Sequence, residues 1–248
     1  MSATQYHEKI TGLLERIQTT QLGKIQEAGE AFATAIASGR RVYLFGSGHS
    51  VLPVLDIFPR YGSFIGFVPL TDPRLMWSNV VGPGGARELL WLERREGYAE
   101  VFLLSYPLAA GDCMLVFSHG GLNAAPIEVA QIAKNKGLTV VTVSSHANAR
   151  VAKPTHSTGK ALSGFASISI DNCVEPEDAQ VNIGRPEKVA AGSTMGAIYV
   201  AMALVAETGA RLVAKGHKPI TFVSPNVSGV EKDHNQKVFE LYAQKLHS

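Results

Sequence analysis

A repeated alternation constrains the fold of this chain more than any other feature. Short runs rich in β-branched and aromatic residues, Arg41–Phe45, Cys113–Phe117 and Leu138–Val143, each end in glycine or a small hydroxyl residue. Runs this apolar leave no polar face, so they read as strands buried on both sides. Two further strands are expected at Phe64–Leu70 and Ile168–Ile170. Between and around them the apolar residues fall at helical spacing. Ile10, Leu13, Leu14 and Ile17, then Ile25, Ala28, Phe32 and Ile36, predict a helix over Thr4–Ser38, whole or broken near Thr19–Gly23, with Gly39 as its stop. A Pro- and Gly-rich stretch (Pro69, Pro73, Gly82, Pro83, Gly84, Gly85) leads into a helix from about Ala86, and others are expected at Pro126–Lys136, Ser193–Ala214 and Glu231–Leu246. Val101–Ser105 reads as a strand or as the apolar end of the helix begun at Ala86. The turn signals at Pro107 and Gly111-Asp112 favour the helix. Strands alternating with helices predict a three-layer α/β fold, a parallel sheet with helices on both faces. No stretch reads as a linker. The expectation is one domain over 1–248, with an N-terminal helical segment 1–38, an α/β core 39–215 and a C-terminal extension 216–248.

Lys plus Arg is 23 and Asp plus Glu is 21, for a net charge of +2. That balance excludes a strong global field for nucleic acid or an anionic membrane, so any anion must be gripped locally. Cys113 and Cys173 are isolated, with no second ligand at zinc spacing, and read as small buried residues of a reduced compartment. No cluster predicts a metal site, and no cofactor is expected. The first residues lack the basic-then-apolar pattern of a secretory signal. The longest apolar stretch, Ala197–Ala206, falls short of the roughly 18 residues that cross a bilayer. A cytoplasmic location is expected.

Ligands of such a sheet bind beyond the carboxyl ends of its strands. Here those ends read Gly46-Ser47-Gly48-His49-Ser50, Ser118-His119-Gly120-Gly121-Leu122-Asn123 and Ser144-Ser145-His146, while Gly192-Ser193-Thr194 opens the apolar helix. Glycine lets backbone N–H groups turn inward, hydroxyls add adjustable donors, and a following helix offers its positive end. Repeated at several strand ends, this makes a cradle for a phosphate monoester. The residues after the first strand match neither the dinucleotide nor the P-loop pattern. About twenty residues on, where a dinucleotide fold carries an acid, stand Phe64 to Phe67. Nucleotides are not the favoured ligand.

Taken together, Phe45-Gly-Ser-Gly-His-Ser50, the Ser-x-x-Gly-x-Asn-x-x-Pro turn at 118–126, Glu96-Gly-Tyr-Ala99, His156-Ser-Thr-Gly-Lys160, Asp171-Asn-Cys173 and Phe222–Gly229 resemble the SIS (sugar isomerase) domain family. That family includes phosphoheptose isomerases, N-acetylmuramic acid 6-phosphate etherases and phosphosugar-sensing regulators. The likeness is strongest to bacterial members of undefined function and extends over nearly the whole chain. It implies a five-stranded, flavodoxin-like parallel sheet and a sugar phosphate bound across paired subunits, hence a homodimer or higher homo-oligomer. By motif, Ser47, Ser50, Ser118, Asn123, Ser144 and Ser145 should hold the phosphate and the sugar hydroxyls. Gly46, Gly48, His49, His119, Ser193 and Thr194 complete the expected binding set. In one place the chain departs from the family, which usually has Ser-x-Ser-Gly where Ser118-His119-Gly120-Gly121 stands here.

Aldose–ketose isomerisation needs a base to move a proton between C1 and C2, and elimination from a sugar phosphate begins with the same kind of abstraction. Carboxylate candidates are Glu88, Glu93 and Glu96. Glu96, in a segment similar to the Glu-Gly of the etherases, is the expected base. His217, between Gly216 and Lys218, could reach a second subunit's site. Phosphoheptose isomerases carry a histidine about two turns into the helix that opens with Ser193-Thr194; here Ala201 stands there, which argues against that particular reaction. The expected function is a phosphosugar isomerase. The alternatives are a lyase or etherase on the same substrates, or a non-catalytic phosphosugar sensor.

Overall fold

The computed structural model describes residues 1–76 and 85–247, so Gly82, Pro83 and Gly84 of the glycine-rich stretch lie outside the described residues. Five strands form one parallel sheet: β1 (Val42–Gly46), β2 (Phe67–Pro69), β3 (Cys113–Phe117), β4 (Thr139–Ser144) and β5 (Ile168–Asp171), in the order β2-β1-β3-β4-β5. All residues of β1 and β3 are buried, as strands covered on both faces must be. Side chains alternate across the sheet. Val42 and Leu44 of β1 join the apolar layer that contains α1 (Ser2–Ala37) and α7 (Ser193–Ala214). Tyr43 and Phe45 point into the opposite layer, with α3 (Gly85–Leu92), α4 (Tyr98–Leu103) and α5 (Ala124–Asn135).

The first helix is continuous. Thr19 and Thr20, near the expected break, return their hydroxyls to the carbonyls of Glu15 and Arg16, and the helix runs on through Gly23. Its periodic residues Ile10, Leu13, Ile17, Ile25, Ala28 and Phe32 are all buried. The strand expected over Phe64–Leu70 shrinks to Phe67–Pro69, because Gly66 turns the chain at φ +143 and Phe64 forms instead an antiparallel bridge to Thr221. Val101–Ser105 is mostly helical, but in a separate helix. Gly97, at φ +85, interrupts the chain between α3 and α4. Two short antiparallel strands, β6 (Ala179–Val181) and β7 (Val189–Ala191), form a hairpin the sequence pattern did not announce.

Two short helices, α2 (Val51–Ile57) and α6 (His146–Val151), follow β1 and β4, and α8 (His234–His247) ends the chain. By length and composition α7 is sufficient to cross a membrane, which the apolar run Ala197–Ala206 alone was not. Its Val200, Ala201 and Leu204 are fully buried in the layer it shares with α1, as in the core helix of a globular protein.

Candidate functional site

The chain leaves β1 toward β2 on one side of the sheet and reaches β3 on the other, so the connections diverge between these neighbouring strands. Such a divergence opens a crevice at the carboxyl ends, where ligands of doubly wound sheets bind. A cavity of about 200 Å³ lies there, lined by the 47–50 turn, Ser118–Gly120, Asn123, Glu93, Asn172, Asp178 and the first turns of α7.

The 47–50 turn folds back over the end of β1. A Cβ on Gly46 would lie 2.0 Å from the Ser50 carbonyl oxygen, so only glycine permits the fold-back. Gly48 sits at φ +60, a conformation that favours glycine, and its turn runs directly into α2. Ser47, Gly48, His49 and Ser50 all line the cavity, while Gly46 lies behind them. Across the crevice the Ser118 hydroxyl accepts the Gly121 N–H at 3.2 Å, leaving its own proton to be donated.

Two carboxylates line this cavity, Glu93 and Asp178, and Glu93 is the one set between the two glycine-serine loops. It is 6% exposed and accepts hydrogen bonds from Ser47 Oγ and Asn123 Nδ2, each at 2.8 Å. Burial pushes its pKa above the ordinary carboxylate value, partly offset by the Ser47 bond. Glu96, the expected base, does not line the cavity. Its carboxylate is half-exposed and held by Ser157, through the N–H at 2.6 Å and the hydroxyl at 2.7 Å, which lower its pKa. The reason is local. Leu89 is buried, and one helical turn later Glu93 shares its face. The helix ends at Leu92 and Gly97 redirects the chain, so the face is not continued to Glu96. That i to i+4 relation to an inward leucine was the signal for Glu93.

Ser144 and Ser145 also stay out of the cavity lining. Ser145 is fully buried, donating its hydroxyl to the Val174 carbonyl at 2.6 Å and capping α6 through the Asn148 N–H. Ser144 is buried beneath Gly121. Ser193 and Thr194 do reach the cavity, but Asp178 occupies the start of α7. Its carboxylate accepts the N–H of Gly192 and Ser193 and the Ser193 hydroxyl at 2.6–2.9 Å. His217 lies past the far end of α7, a helix of 22 residues and therefore about 33 Å long, and does not line this chain's cavity.

His119 lines the cavity, with burial pushing its pKa below the usual value. Asn172 is 2% exposed and lies beside it, its Nδ2 3.2 Å from His119 Nδ1. Neither Asn172 nor Asp178 was assigned to the site from sequence, because each reaches it only through the path of the β5–β6 connection. Cys113 is buried with its thiol pushed up to about 12, an inert core residue, while Cys173 is half-buried. Among the described residues no group of His, Cys, Asp and Glu is arranged to hold a metal ion.

Fold and cavity together define a doubly wound α/β protein with a polar cavity at the sheet's switch point. The model of the SIS domain matches residues 5–145, and the chain belongs to that family. A UPF0309 protein of Oceanobacillus iheyensis is 33% identical over 244 residues, covering 98% of this chain and 97% of its own. A UPF0309 protein of Caldanaerobacter subterraneus is 31% identical over 245 residues, with 97% of each chain covered. Among solved structures, a phosphoheptose isomerase from Francisella tularensis superposes with a TM-score of 0.55 at 14% identity, covering 83% of this chain and 95% of its own. Phosphoheptose isomerase from Neisseria gonorrhoeae gives 0.54 at 14% identity, covering 84% and 96%. These likenesses establish the SIS fold, with its five-stranded parallel sheet.

Proposed function

We propose that this chain binds a phosphorylated sugar, or amino sugar, in the β1/β3 crevice and interconverts its aldose and ketose forms, with Glu93 as the base. One observation carries the reading: a buried carboxylate held among the hydroxyl and amide donors of two glycine-serine loops. The loops suit a phosphate, and the carboxylate suits a proton beside a carbonyl. Because Asp178 already takes the α7 N-terminus, the phosphate is assigned to the Gly48–Ser50 turn and the Ser118–Gly120 loop. The raised pKa of Glu93 makes it a better base than an exposed carboxylate near neutral pH. The names of the phosphoheptose isomerases that share the fold point to the same substrate class.

Self-association belongs to this reading. Leu52 and Leu55 of α2 are exposed beside α7, whose Ile198 and Met202 are only half-buried, and a second subunit would cover them. The whole chain acts as one unit, and a phosphosugar ligand suits a cytoplasmic location. Proton exchange supplies the test. Incubation in heavy water with D-fructose 6-phosphate, D-ribulose 5-phosphate and D-glucosamine 6-phosphate should place deuterium beside the carbonyl carbon of at least one, with its isomer forming. Release of a substituent at C3 would assign a lyase instead, and binding without exchange a sensor.

A further inference from the structure

His119 lines the cavity, and its ring is wired from one side only. Asn172 Oδ1 accepts the N–H of Val174 at 3.0 Å, which fixes the orientation of that amide. Its Nδ2 therefore points at His119 Nδ1, 3.2 Å away, and donates to it. An Nδ1 that accepts a hydrogen bond leaves the proton of a neutral imidazole on Nε2. Nε2 is buried and has no hydrogen-bond partner in the protein, although His119 lines the cavity that Glu93 also faces. A buried donor without an acceptor is destabilising, so its presence here asks for a function. The backbone around it is held too, the His119 carbonyl accepting the Ser145 N–H at 2.8 Å.

We infer that His119 is the electrophile of this site, its Nε2–H aimed at the substrate oxygen that becomes negative when Glu93 takes the carbon-bound proton. The inference rests on the isomerase reading and supplies the partner that reading lacks. In the ketose-to-aldose direction the C1–H bond breaks and its proton goes to Glu93. The electron pair forms C1=C2, and the carbonyl oxygen on C2 becomes an oxyanion that accepts the His119 Nε2–H. The hydroxyl proton on O1 then moves to O2, the C1=O bond forms, and C2 recovers the proton from Glu93. A neutral imidazole suits this role, because its N–H is a weak acid that polarises the oxygen by a hydrogen bond and keeps its own proton. Burial keeps the ring neutral, against the pull of Asp178 toward protonation.

Two measurements test the inference, and one needs no variant. In protein labelled with 15N-histidine, long-range 1H–15N spectra at pH 7 should show His119 as neutral with the proton on Nε2. A proton on Nδ1, or a charged ring, overturns the proposal. The second uses deuterium incorporation into the sugar phosphates named above, with binding followed by calorimetry. His119→Leu should lower exchange by about 10²–10³-fold, the usual loss for one oxyanion donor, with the dissociation constant nearly unchanged. His119→Gln, which returns an N–H near the Nε2 position, should recover much of that loss. Equal exchange in wild-type protein and His119→Leu refutes the role of His119 while leaving Glu93 as base. Loss of binding in step with exchange refutes it also, and makes His119 a phosphate ligand. If the wild-type protein exchanges none of the sugar phosphates, the isomerase reading itself falls.

Discussion

Replacing Glu93 by glutamine and by alanine separates the chemistry of the site from its contribution to stability. Glutamine keeps the length of the side chain and an oxygen that can accept from Ser47 or Asn123, but it removes the base. Deuterium exchange should fall by about 10²–10⁴-fold while sugar-phosphate binding persists. Alanine removes both acceptors. Ser47, at 9% exposure, would be left with a buried hydroxyl proton unpaired, at a cost of about 1–3 kcal/mol. Asn123 is only half-buried and regains part of its bond from water, so the sum comes to about 2–4 kcal/mol. At about 2–4 °C per kcal/mol for a chain of this size, the melting temperature should fall by about 4–16 °C. The glutamine variant should instead match or exceed the wild type at neutral pH. The carboxyl's raised pKa means that the native state binds the proton more tightly than the unfolded chain. Stability from this group is therefore present below the unfolded carboxylate pKa and is lost as pH rises through the folded value. Differential scanning calorimetry at several pH values, beside the exchange assay, reads both effects. Wild-type exchange in Glu93→Gln would refute the base assignment, and an unchanged melting temperature in Glu93→Ala would refute the wiring of the carboxylate. Glu96→Gln is the control, and exchange should survive it because Glu96 lies outside the cavity.

Ser118→Ala should weaken sugar-phosphate binding by about 1–3 kcal/mol, measured by calorimetry, with little change in melting temperature. Gly46→Ala places a methyl 2.0 Å from the Ser50 carbonyl oxygen, and the displaced 47–50 turn should lower thermal stability by about 1–3 kcal/mol and weaken ligand binding. Glu30, paired with Arg211 and Lys215 of the α7 end, has its pKa lowered to about 2, so the tie between α1 and α7 is complete above about pH 4.5 and is lost as pH falls toward 2. Glu30→Gln should flatten that limb of an acid-denaturation curve. Sedimentation at micromolar concentration should give at least a dimer, and Leu52→Lys with Leu55→Lys should shift it toward monomer; a wild-type monomer would remove the shared face.

The sheet and its layers were legible because strands buried on both faces leave an unmistakable apolar record, and β1, β3 and β4 fall where such runs stand, with the half-buried β2 and β5 at the edges. The loops of the cavity were legible for a related reason: Gly46 and Gly48 are demanded by the backbone itself, whichever ligand is bound. What the chain's linear order did not disclose was direction. Glu93 and Glu96 are near neighbours with the same chemistry, and only the end of α3 at Leu92 and the left-handed Gly97 decide that one faces the cavity and the other Ser157. Ser145 looked like a ligand residue at a strand end, yet the nearby carbonyl of Val174 takes its hydroxyl. Asn172 and Asp178 enter the site because the chain beyond β5 passes over the crevice, a path set by packing on α1 and α7 rather than by local propensity. Periodicity determines which residues are inside; which of the inward polar groups meet one another is settled only when separate elements close on a common cavity.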